Sequence, residues 1–127
     1  MEIESLFDSK LLQELLPEEQ VKAFFEAFYF GEEPAYDLSL GFRGLRGNLL
    51  ILELELKARP NQCLACNLTW GLPEVMERHP MLNLEGVVRR LEEKLPEGVN
   101  IVSWELGATE QKSPDLHVIP LLIRLSR

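Results

Sequence analysis

Between residues 49 and 59 the chain sets leucine against charge, and this stretch constrains the fold more than any other. Successive side chains of an extended strand point to opposite faces. Leu50, Leu52, Leu54, Leu56 and Ala58 therefore share one face, while Glu53, Glu55, Lys57 and Arg59 share the other. Such a strand needs an apolar layer on one side and water on the other. It predicts an antiparallel sheet with its helices on one face.

The preceding residues carry the other half of that layer. Asp8 is placed to cap a short helix whose Leu11, Leu12, Leu15 and Leu16 form one apolar stripe. Pro17 ends it and suits the first position of a second helix, with Glu18 and Glu19 at the positive end of the dipole. Val21, Phe24, Phe25 and Phe28 recur at helical spacing, Gly31 is the expected stop, and Tyr29 and Phe30 fall outside the stripe. The period then changes to two at Tyr36, Leu38, Leu40 and Phe42, with a turn expected over Gly44–Asn48 and another at Pro60-Asn61. Gln62–Trp70 is expected to complete a meander.

A short helix is expected from Gly71 and Pro73 to His79, stopped by Pro80. Asn83 then caps a helix with Leu84, Val87, Val88, Leu91 and Leu95 on one face. Val99–Leu106 and Leu116–Leu125 are the last expected strands, separated by a polar loop. Pro120 lacks a donor and so implies an edge, a bulge or a late start to pairing. The expected class is α+β over a single domain, 1–127. It comprises an N-terminal αα-hairpin (1–31), an antiparallel three-stranded meander, a central helix (about 84–95) and two further strands. The helices pack on one mainly antiparallel sheet spanning 35–127.

The 127 residues are 46% apolar and 27% charged, which excludes the disordered class. A net charge of −8 opposes nucleic acid and anionic membranes, since both are bound by lysine and arginine. The same charge suits a basic or amphipathic protein partner. The opening residues contain neither a basic region nor a long apolar run, and the longest apolar run, Leu116–Ile123, is too short to span a bilayer. The expected location is cytoplasmic.

Two cysteines and two histidines offer one metal-binding set: Cys63, Cys66, His79 and His117. Thiolate and imidazole are the ligands that Zn²⁺ prefers, and four of them close a tetrahedral structural site. In a strand over 62–70, however, Cys63 and Cys66 point to opposite faces, so chelation requires a turn at Leu64-Ala65. Structural cysteines are the leading expectation and zinc the alternative. The residues after Cys66 are poor helix formers, which opposes a thioredoxin-type redox pair.

Ser113, Asp115 and His117 have the composition of a hydrolytic triad but lie on one extended segment, so a turn at Ser113-Pro114-Asp115 is expected instead. Gly41–Gly47 is glycine-rich with two arginines, yet leads into a strand and not a helix, and predicts a hairpin. Leu49 and Ile51 face away from Leu50–Leu56, and residues 116–123 are apolar on both faces. A sheet apolar on both faces needs cover on both.

The order, αα-βββ-(short α)-α-ββ, is similar at the level of topology to the αβββαββ order of the type III secretion chaperones, whose C-terminal helix has no counterpart here. The surplus apolar faces, the acidic surface and the absence of a convincing catalytic set imply a non-catalytic binding or protein-interaction module acting as a homodimer. A zinc-binding protein is the alternative, and a small enzyme or ligand-binding domain with a pocket near Trp70 or Trp104 is the third reading.

Overall fold

The computed structural model describes residues 3–30, 36–60 and 71–127. Among them are four α-helices and five strands in one antiparallel sheet, an α+β fold. A 3-10 turn (Ile3–Leu6) precedes α1 (Ser9–Leu15) and α2 (Glu18–Tyr29). Asp8 Oδ1 accepts the Leu11 N–H at 2.8 Å, satisfying one of the orphan donors of the first turn of α1. Pro17 stands as the cap of α2. Gly31 lies outside the described residues, and the left-handed residue that ends α2 is Phe30, at φ +53°.

Strand β1 (Tyr36–Arg46) pairs with β2 (Leu49–Ala58) through a tight turn at Gly47 and Asn48. Gly47 has φ +60°, a conformation glycine adopts without steric cost. The turn is narrower than the expected Gly44–Asn48 because a bulge between Phe42 and Gly44 shifts the register. The extra residue moves Leu45 to the core face, opposite Leu50, and lengthens β1.

The expected third strand, Gln62–Trp70, lies outside the described residues. The second neighbour of β2 is β5 (Leu116–Ser126), paired from Leu49↔Arg124 to Lys57↔Leu116. The strand order is β1-β2-β5-β3, with β4 also on β5. β5 is the most continuously apolar strand, and a central position buries it from Val118 to Leu121.

β3 (Asn100–Leu106) and β4 (Glu110–Ser113) share the other side of β5. β4 falls in the expected polar loop, because its polar residues lack the alternation that marks a half-buried strand. Pro120 sits where β5 changes partner: β3 reaches Leu121 and β4 begins at Val118. The Gly107 N–H donates to the Pro120 carbonyl at 2.8 Å. Both main-chain polar groups of a strand residue point to the same side, so the missing proline donor faces the break between the two strands.

α3 (Leu72–Arg78) and α4 (Leu84–Lys94) complete the layer on the core face. Asn83 adopts φ +49° and its Oδ1 accepts the Gly86 N–H at 3.1 Å, the expected cap. Arg90 of α4 ties the helical hairpin down, donating to the Leu15 carbonyl at 2.9 Å and to Gln20 Oε1 at 2.8 Å. Gln20 in turn donates to the Leu82 carbonyl. No described helix is long and apolar enough to cross a membrane.

Leu50, Leu52, Leu54 and Leu56 are each 0% exposed and face Ile123, Leu121, Ile119 and His117 across the ladder. Leu54→Ala is expected to lower unfolding free energy by about 2–5 kcal/mol, because the cavity adds to the lost transfer energy. Ile51→Ala, on the opposite face, is expected to cost under about 1.5 kcal/mol. Urea denaturation of both variants measures the difference.

Candidate functional site: a cleft along the free edge of the sheet

The four expected zinc ligands are only partly described. Cys63 and Cys66 lie outside the described residues, as does Trp70. His79 caps the end of α3 and presents its ring edge-on to Phe24, centroids 5.0 Å apart. Its Nδ1 accepts the Met81 N–H at 3.2 Å, which directs the ring proton to Nε2. His117 sits on the core face of β5, 0% exposed, between Leu56 and Gln111. Among the described residues no three His, Cys, Asp or Glu side chains converge on one point.

The other sequence motifs resolve into structure. Ser113 Oγ accepts the Asp115 N–H at 3.3 Å, a local turn. Arg43, from the glycine-rich stretch, makes a bidentate pair with Glu110 at 3.1 and 3.2 Å. That pair reaches from β1 to β4 over the two strands between them. Below it, burial raises the Glu53 carboxyl above its ordinary pKa; Glu55 adds to the shift, and Arg43 and Lys112 oppose it. Trp104 donates its indole N–H to Glu85 at 2.7 Å.

A concavity lies elsewhere. A cleft of about 830 Å³ lies between the αα-hairpin and β1. β1 pairs with β2 alone, so its other side is an unpaired strand edge among the described residues. Five consecutive residues, Asp37–Gly41, line the cleft, which therefore follows the strand lengthwise. Leu12 of α1, Leu16 at its end, and Val21 and Phe25 of α2 form the facing wall together with Leu38 and Leu40; all but Leu12 are largely buried and present only their margins to the cleft.

Alternation along β1 divides the cleft. Leu38 and Leu40 turn toward the helices, whereas Asp37, Ser39 and Gly41 belong to the polar face beside Glu55, Lys57 and Arg59 of the β2 end. Two of the charges are matched locally, Arg59 to Asp37 at 3.0 Å and Lys22 to Glu18 at 3.6 Å. Gly41 leaves room for the neighbouring acid: a Cβ there would stand 2.9 Å from Glu55 Oε2.

An aromatic cluster holds one end of the site. Phe25 packs edge-on to Tyr36 at 5.5 Å, and the Tyr29 and Tyr36 hydroxyls are 2.8 Å apart. Tyr36 is 1% exposed, and burial, reinforced by that hydrogen bond, drives its hydroxyl pKa far up. Burial raises the pKa of Tyr29 too, against the opposing effect of the bond to Tyr36. Tyr29, which falls outside the helix stripe, is thereby used, while Phe30 remains 89% exposed. The importance of Gly41 could have been read from two small residues, Ser39 and Gly41, on the face that carries Glu55. That β1 is an edge strand could not.

Burial lowers the His117 pKa below its ordinary value, so the unfolded chain takes up the proton first. The stability contributed by neutral His117 is therefore complete above about pH 6.5 and is lost as pH falls below it. Glu53 works in the opposite sense nearer 4.5, because its raised pKa favours the protonated folded state. Urea midpoints are expected to fall between about pH 7.5 and pH 5.5, and to fall less in His117→Gln.

No family model, no curated protein and no solved structure matches this chain.

Proposed function

We propose that this chain is a non-catalytic interaction module that holds a segment of another protein in the cleft along β1. The observation that carries this reading is the combination, among the described residues, of an unpaired strand edge with a facing apolar wall in one cleft. Strand edges are ready templates for a partner. The ion pairs at the rim support binding over catalysis, since Lys22 and Arg59 are already matched to Glu18 and Asp37. A net charge of −8 favours a partner with basic character.

A second surface supports the homodimer. On the face away from the helices, Leu49, Ile51 and Leu122 are partly exposed in adjacent strands, and nearby Val102 is 66% exposed. Contiguous apolar surface of this kind marks interfaces.

The two surfaces are tested separately. Leu12 is half-buried on the cleft wall, so Leu12→Glu is expected to reduce binding of a hydrophobic dye by about threefold or more while the circular dichroism spectrum is retained. Unchanged dye binding would refute the cleft reading. Sedimentation of the wild type is expected to give twice 14.6 kDa, and Val102→Asp to shift it toward the monomer without altering the dye signal.

A further inference from the structure

We propose that the occupant of the cleft is an extended segment of another protein that adds to the sheet as a strand beside β1. It is apolar at every second residue and carries Lys or Arg at the interleaved position level with Ser39 and Gly41. This inference rests on the docking reading above and specifies its partner.

The backbone decides that the segment is extended. The cleft follows the edge of β1 over five consecutive residues, about 17 Å of strand at 3.4 Å each. Main-chain groups along an edge need partners, and a helix, whose own groups are already bonded, cannot supply them. The bulge between Phe42 and Gly44 disturbs the edge beyond this segment, the kind of device that discourages pairing, whereas Tyr36–Phe42 remains in regular register.

Side-chain alternation then dictates composition. A strand laid beside β1 turns every second residue toward the wall of Leu12, Leu16, Val21 and Phe25, and the others toward the polar face. There the absent side chain of Gly41 admits the Glu55 carboxylate to the cleft. Glu53, two residues away on the same strand, adds to the negative field, partly offset by Arg43 and Lys112, and neither acid has an ion pair of its own among the described residues, in contrast to Asp37. A cation on the incoming strand meets that field. The cations that β1 itself carries on this face, Arg43 and Arg46, lie at and beyond its bulge, and Arg43 is already bound to Glu110, so a different protein is the better fit for the stretch level with Ser39 and Gly41.

The test uses the full chain and three nine-residue peptides of alternating valine and threonine. One carries a central lysine, one a central glutamate, and one is the lysine peptide with alternate amides N-methylated. Dye displacement reads occupancy of the cleft, and fluorescence anisotropy reads affinity. The lysine peptide is expected to bind about tenfold more tightly than the glutamate peptide at low salt, a ratio that collapses toward about one in Glu55→Gln. N-methylation is expected to weaken binding about tenfold or more, because the strand can no longer pair. Equal binding of the lysine and glutamate peptides, tolerance of N-methylation, or an unchanged ratio in Glu55→Gln would overturn the inference. If an amphipathic leucine-lysine helix displaces the dye and the nine-residue peptides do not, the docking reading stands and the strand inference falls. If nothing displaces it, both fall. If the lysine peptide instead converts a dimer into monomers, the occupant is a second copy and the inference is wrong.

Discussion

The rest of the structure depends on the row of leucines at 50, 52, 54 and 56. All four are sealed from solvent on a strand that is paired along both sides. A row of this kind is satisfied only when an apolar layer covers it, and three separate parts of the chain contribute that layer: α1–α2, α3 and α4. Arg90 and Gln20 then fix the helices to each other through carbonyls that burial would otherwise leave without partners. The αα-hairpin is thereby held over one end of the sheet, and the cleft beside β1 is the space it leaves.

The two faces of the sheet do different work. The core face is apolar apart from His117, whose pKa burial lowers. The opposite face is mixed, with Leu49, Ile51 and Leu122 at one end and an ionic group around Glu53 at the other. Arg43 and Glu110 reach across that face from outer strand to outer strand. Such exposed pairs contribute little to stability, roughly 0–1 kcal/mol, and act chiefly by setting where charge lies. Glu55 remains directed toward the edge, where a partner can meet it.

Much of the fold is legible from local pattern. The caps at Asp8 and Asn83, the helix stripes, the alternation of β1 and β2 and the apolar run of β5 each follow from spacing and side-chain chemistry over a few residues. β4 escapes such reading because four polar residues carry no period; they become a strand only because β5 presents an unpaired side beyond Pro120. The bulge at Phe42–Gly44 is equally silent, since its effect is a change of partner face that only the opposing strand reveals. Of the candidate site, Leu12, Leu16, Val21 and Phe25 are recognisable in advance as apolar stripe residues, but not as a wall facing a strand edge.

By itself the sequence determines the elements and the faces, because helical and strand periodicities are local and the apolar sides must be buried. It also determines the acidic character that biases any partner toward positive charge. Only the tertiary structure decides the strand order, since long-range pairing depends on which strand can tolerate burial on both sides. β5, apolar on both faces, takes the centre, and that choice leaves β1, among the described residues, at the edge with one side unpaired. A stretch that reads as an ordinary half-buried strand thus becomes one wall of the binding cleft.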